Sequence, residues 1–178
     1  MQVRIGARQC FWNSIIIAYM ELKEVTKELI AKADYLSLST TDGTNPWATP
    51  LYFAVDEKFN FYFVSRKDTL HSKNLYKNPN VSFCIFNSED KAFTAQGLQA
   101  TGIAHEVGLA EALQGLTVIY KKKHPDVDDL KRIKLNVKSV TGLINNRIYC
   151  IKLTHVYVLD PNNPDMDTRV EVFVNSEK

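Results

Sequence analysis

The sequence predicts a mainly β fold with helices (α+β): an antiparallel sheet or small barrel with helices filling gaps. Three observations predict it. Period-two runs follow one another between residues 35 and 106, separated by short polar turns and a single short helix. Helical periodicity is confined to residues 21–33 and the stretch after Gly108, so strands and helices do not alternate as a doubly wound parallel sheet requires. The 178 residues, 45% of them hydrophobic, are enough to bury one core without staples.

Each element has its own reason. Leu22, Val25, Leu29 and Ile30 recur at helical spacing in ELKEVTKELIAKA, with acids and lysines on the other face. DYLSLSTTDG sets Leu36 and Leu38 one way and Ser37 and Ser39 the other, then turns at Asp42-Gly43. NPWATPLYFAVD is a second strand, which Pro46 and Pro50 place at an edge or bulge because proline donates nothing to a ladder. EKFN is a turn, and FNFYFVS is an aromatic third strand. Asp68 or Thr69 caps a helix from Leu70 to Lys77, and NPN stops it. NVSFCIFN is the fourth strand, SEDK a charged turn, and FTAQGLQATGIAHEV a long fifth strand in which Gly97 and Gly102 allow bends or close backbone approach. GLAEALQGLTVIYKKKH puts Leu109, Leu113, Leu116 and Tyr120 on one helical face, and PDVDDLKRIKLNVKS gives a second, weaker helix. NRIYCIKLTHVYVLDP is the last clear strand, with Ile148, Cys150 or Tyr149 competing for the core. The tail carries one short strand at Arg169 to Val174.

Composition narrows the function classes. Lys plus Arg number 22 and Asp plus Glu 20, a net charge of +2, too small for whole-surface nucleic-acid binding. Any anion preference must be local. Cys10, Cys84 and Cys150 form no CxxC pair, and the odd count with apolar surroundings points to a reducing cytoplasm without a disulfide framework. The four histidines show no HExxH or similar metal spacing. Residues 1–19 are too short an apolar run to span a bilayer and lack a small-residue cleavage pattern. They read as an N-terminal extension, with Met20 as a natural start, one domain over 20–160 and a tail over 161–178.

The chemistry gathers in SRKDTLHSKNLYKNP, residues 65–79, where Arg66, Lys67, His71, Lys73 and Lys77 face one acid, Asp68. A helix starting at Leu70 leaves the N–H groups of Leu70, His71 and Ser72 outside its ladder and carries partial positive charge. Ser65 and Ser72 add hydroxyls, Lys73 a full charge, and Arg66 or Lys67 can close from the loop. A phosphate monoester wants this mixture, although a solvated lysine-bearing helix shares the composition. Two further stretches bear on a ligand. Proline in WATPLYF leaves a carbonyl beside Thr49 and Pro50 free to meet a partner. Gln96 and Gln99 in AQGLQATG are amides that, if buried, need partners such as the edge of a flat heterocycle. The alternative is that Gln96 faces solvent and Trp47 plugs the core.

From about Leu22 to Asp160 the chain resembles the pyridoxamine-5′-phosphate-oxidase-like, FMN-binding split barrels. The likeness lies in a helix followed by LSLSTTDGTNPWATPLYFAVD, FYFVSRKDTLHSKNLYKNPNVSFCIF and GLQATGIAHEV, above all in the strand ending at Ser65, then Lys73-Asn74-Leu75 and Asn78-Pro79. It implies a six-stranded antiparallel split β-barrel holding FMN at a homodimer interface. Lys73 would bind phosphate with Ser72 and Ser65 as hydroxyl donors, His71 at the same helix start and Arg66 and Lys67 nearby. Thr49, Pro50 and Leu51 would run along the isoalloxazine edge, and Gln96 would come from the partner chain or the neighbouring strand. A half-open barrel would expose apolar strands such as FNFYFV for dimerisation. Two departures speak against oxidation of pyridoxamine phosphate itself: the tail has only Arg169 where the vitamin-forming oxidase has an arginine-rich segment, and Ser72 stands where the family often has arginine. The expectation is an oxidoreductase of an unidentified small molecule, or a non-catalytic protein that binds flavin, deazaflavin or haem.

Overall fold

Alternation along YLSLSTT becomes β1, Tyr35–Thr41, with Leu36, Leu38 and Thr40 turned inward. Asp42 closes the following turn: its Oδ1 accepts from the N–H groups of Thr44 and Asn45, and Gly43 takes φ +101°. That turn sets the register of β2, Pro46–Tyr52, against β1, from Thr41↔Pro46 to Tyr35↔Tyr52. β2 ends the strand order, the position its two prolines require.

The computed structural model describes residues 22–87, 89, 96–125, 145–160 and 168–174. Helix α1 covers 22–32. β3 (Ala54–Val55), β4 (Phe61–Arg66), α2 (Leu70–Lys77), β5 (Asn80–Phe86), β6 (Gly97–Glu106), α3 (Leu109–Lys123), β7 (Asn146–Leu159) and β8 (Arg169–Val174) follow. The antiparallel sheet runs β2-β1-β5-β6-β7-β4-β3, with β8 also on β7. β2 and β4, far apart in that order, touch, so the sheet curls into a half-barrel. Among the described residues eight strands form where six were expected. The second run breaks at Phe53, whose N–H leaves the ladder to reach the Asp34 carbonyl at 3.3 Å, and the tail strand pairs with β7. The expected extension over 1–19, the weaker helix over 125–139 and the SEDK turn lie wholly or largely outside the described residues, as does the start of the fifth strand.

The main core lies inside the curl. Phe61 stacks on Phe53 at 5.4 Å and meets Phe83 at 4.9 Å, while Leu36, Leu38, Ile85, Leu98 and Ile151 pack around them. α1 adds Ile30 and α2 adds Leu75. A smaller cluster on the other face of β4 and β7 joins Tyr62, Ile148 and Cys150 to Ala112 and Leu116 of α3. Tyr149 and Cys150 both reach a core, one on each face of β7.

Two expectations change here. α3 does not seat Leu109 and Leu113, which are 73% and 41% exposed; it buries Ala112, Gly115 and Leu116. The reason is steric: a Cβ on Gly115 would sit 2.6 Å from the Tyr62 ring, so the helix approaches on its small residues. FNFYFV is likewise not an exposed apolar strand. Phe61 and Phe63 fill the main core and α3 covers Tyr62, leaving all three at most 1% exposed. β6 and β7 shift register between Thr101 and Gly102, a bulge that sets Thr101 Oγ1 2.7 Å from Thr154 Oγ1. Gly102 has the close approach expected of it, whereas Gly97 is in ordinary contact.

Candidate functional site

β4 delivers the chain to the site, because its last residues, Ser65 and Arg66, pair with Arg147 and Asn146 of β7. Lys67 N–H then donates to the Asn145 carbonyl at 2.9 Å, fixing the loop. Thr69 is extended (φ −69°, ψ 157°) and caps α2, its Oγ1 accepting from Ser72 N–H at 3.4 Å. Asn78 ends the helix.

A buried polar cluster forms at this helix start. Ser65 Oγ is 2.7 Å from His71 Nε2, and Thr69 Oγ1 is 3.1 Å from the same nitrogen and 2.9 Å from Ser72 Oγ. Tyr149 lines the same cleft as Ser72, and burial pushes its phenol above the usual range. Tyr149 also stacks on Phe63 at 5.1 Å, and Phe63 meets His71 edge-on. His71 is 5% exposed, and desolvation lowers its pKa from 6.5, so the imidazole is held neutral.

That shift has a pH signature. A folded-state pKa below the unfolded one gives stability that is complete above the unfolded value of 6.5 and lost as pH falls through the folded value. The melting temperature should therefore fall more steeply below pH 6.5 in the native chain than in His71→Gln. Parallel profiles from scanning calorimetry would show that His71 carries none of this dependence.

The cations divide into engaged and available. Arg66 forks onto Asp68, with Nε–Oδ1 at 2.9 Å and Nη2–Oδ2 at 2.5 Å, and this hydrogen-bonded pairing draws the Asp68 carboxyl down to about 2. Lys67 and Lys73 offer their ammonium groups to no hydrogen bond or ion pair among the described residues, although Asp68 feels the charge of Lys73. Both lysines line a cleft of about 810 Å³ with Ser72, Asn74, Arg147 and Tyr149, a volume in the range of small-molecule sites. Arg147 Nε contacts Glu106 Oε1 at 2.9 Å along the same wall. Asn74 is buried and donates to Thr40 Oγ1 at 3.2 Å, tying α2 to β1.

Six of the residues expected at the site (Ser65, Arg66, Lys67, His71, Ser72 and Lys73) thus surround one helix start. Thr49, Pro50 and Leu51 lie on β2, which α2 also contacts. Pro50 is exposed and Leu51 half-buried. Thr49 Oγ1 is buried with no hydrogen-bond partner, the one such side-chain atom among the described residues. Gln96 is elsewhere. It lines a separate cleft of about 820 Å³ with Leu29 of α1 and Phe86 of β5. Thr69 was expected only as a helix cap, and Arg147 and Tyr149 were not anticipated; period-two spacing within NRIYC places these two together on one face of β7.

A curled antiparallel sheet with helices at its gaps, as described above, is the split barrel of pyridoxamine-5′-phosphate-oxidase-like proteins. The chain belongs to the pyridoxamine 5′-phosphate oxidase family, whose model matches residues 22–157. Among curated proteins it is similar to UPF0306 protein PM1958 of Pasteurella multocida, 28% identical over 124 residues that cover 68% of this chain and 82% of that one. Among solved structures it is similar to ChuZ of Campylobacter jejuni, with TM-score 0.68, 10% identity and coverage of 88% of this chain and 60% of that one. It is also similar to HutZ, the haem storage protein of Vibrio cholerae, with TM-score 0.61, 17% identity and coverage of 77% and 94%. At these identities the structural likeness establishes the fold.

Proposed function

We propose that the chain is an FMN-binding flavoprotein of the cytoplasm, an oxidoreductase of a small molecule that works as a homodimer. The observation that carries this reading is the cleft at the start of α2, where, among the described residues, the Lys67 and Lys73 ammonium groups meet no hydrogen bond or ion pair beside the Ser72 hydroxyl. A phosphate monoester is matched by two cations, a hydroxyl and the first N–H groups of a helix. Thr49 is a second point of fit, since its buried Oγ1 lacks a partner that a heterocycle edge would supply. Arg66 is less available, because Asp68 holds it. Arg147 also lines the cleft wall, where Glu106 engages its Nε.

In this reading Lys73, Lys67 and Ser72 bind the phosphate end, and Thr49 with the β2 backbone orients the ring. FMN, when bound, supplies the electron-transfer chemistry. Buried His71, held neutral, orients Ser65 and Thr69 rather than adding charge. Gln96 lies in a different cleft from Lys73 within one chain, so a site using both draws Gln96 from a second copy. Among the described residues, no helix is long and apolar enough to cross a membrane.

The test is the visible spectrum of the purified protein, followed by FMN titration of the native chain and Lys73→Ala. A flavin spectrum is expected, with binding weakened by about 1–3 kcal/mol in the variant. Equal affinity would remove Lys73 from the phosphate site. Haem binding is the second reading, favoured by the likeness to the Vibrio cholerae haem storage protein. A Soret band in place of a flavin spectrum would select it.

A further inference from the structure

On the face of the sheet that α3 covers, three side chains of different ligand chemistry converge. His105 and Cys150 are direct cross-strand partners on β6 and β7, so the ladder itself sets them side by side. Glu111, in the first turn of α3, completes the group, with its Oε2 3.6 Å from His105 Nε2. One imidazole nitrogen, one sulfur and one carboxylate oxygen all lie within 4.8 Å of one another.

We infer that His105, Glu111 and Cys150 form a binding site for a divalent transition metal of zinc type, with a fourth position open to solvent or a small ligand. Thiolate, imidazole and carboxylate together suit zinc or cobalt rather than magnesium or calcium, which take oxygen ligands. Bonds of about 2.0 Å to nitrogen and oxygen and about 2.3 Å to sulfur place tetrahedral ligands roughly 3.3–3.6 Å apart. His105 and Glu111 already stand at that spacing, 3.6 Å apart, and the widest separation in the cluster, within 4.8 Å, contracts by roughly 1 Å to reach it. Two of its members sit on paired strands, so little conformational entropy is lost in bringing them together.

The surroundings favour a site that is closed below and open above. Cys150 is fully buried beneath Ala112, Leu116 and Ile148, whereas the side chains of His105 and Glu111 keep 37% and 33% of their exposure. A metal can enter from the exposed side and find a sulfur at the base. The Cys150 sulfur, the His105 imidazole and the Glu111 carboxylate share this one small space. A metal bound there takes the sulfur as thiolate and releases its proton, as metal binding to thiols generally does. Three protein ligands and an open position are the arrangement of catalytic rather than structural zinc. His105 also lines the cleft that holds Lys67, Ser72 and Lys73, so the metal cluster adjoins that site.

Cobalt(II) titration of the full chain tests this, read as a difference spectrum against the same protein without cobalt, so that a bound flavin does not interfere. A single Co²⁺ per chain with a near-ultraviolet thiolate-to-cobalt band is expected. His105→Ala and Glu111→Gln should each weaken binding roughly tenfold or more, and Cys150→Ser should abolish the band. Cys150 is buried, so Cys150→Ser is checked for native circular dichroism; the partly exposed His105 and Glu111 variants carry the test if it misfolds. Cobalt bound without a thiolate band, unchanged affinity in both of those variants, or no binding at millimolar cobalt would each overturn the site. Because His105 also lines the cleft of Lys73, the titration is repeated on flavin-free chain, where the thiolate band is expected whether or not FMN binds.

Discussion

Phe61→Ala should lower the free energy of unfolding by about 3–5 kcal/mol, the range for deleting a buried aromatic ring where neighbours cannot collapse. Phe61 has no exposed surface and lies between two other rings, Phe53 at 5.4 Å and Phe83 at 4.9 Å. These three come from the β2–β3 break, β4 and β5, so the hole would open where separate parts of the sheet meet. On β4 the residue is held by pairing with both Val55 and Ile151, which limits any inward movement of backbone to fill it. Urea unfolding checks the value, as a fall in midpoint at unchanged slope. A loss under about 1 kcal/mol would mean that the cluster repacks and is looser than its ring geometry implies.

Gly102→Ala is expected to cost about 3 kcal/mol, by overpacking rather than by a cavity. The added Cβ would lie 2.6 Å from the Lys152 carbonyl oxygen and 2.8 Å from Ile151 Cγ2. The first obstacle is backbone in the central β6–β7 ladder and cannot rotate away. Relief requires moving a strand. Gly97→Ala is the matched control in the same strand, where the nearest atom is 3.7 Å away and the change should be near neutral. Equal losses in the two variants would show that glycine's chain entropy, not the close approach, is what matters at Gly102.

Local features were legible in the sequence. Leu36 and Leu38 alternate with serines, Thr69 and Asn78 bracket a helix of eight residues, and two prolines mark an edge strand; each depends on residues within a few positions. The cationic half of the site was legible for the same reason, since residues 65–73 are contiguous. Arg147 and Tyr149 were not, because they arrive through the register of β4 on β7, and nothing in either segment alone reports that pairing. The buried face of α3 was misread because hydrophobic periodicity favours Leu109 and Leu113, whereas the Tyr62 ring demands small residues at the contact. The same ring explains why FNFYFV is not a surface strand. Periodicity records which side chains are apolar, and only the partner's shape decides which of them fit.

β7 carries a burden that follows from the order of the chain. It pairs with β6 along one edge and with β4 and then β8 along the other. While a nascent chain has reached only α3, the two-residue β3 is the one strand hydrogen-bonded to β4 among the described residues, and one edge of β6 is bare. Phe63 and the inner edge of β6 then wait for Tyr149 and Ile151 to leave the ribosome. Contacts spanning so much sequence close slowly, and an unpaired aromatic strand is a target for chaperones or for another chain. Synthesis of β7 is thus the step at which the growing polypeptide passes from an aggregation-prone state to a closed sheet.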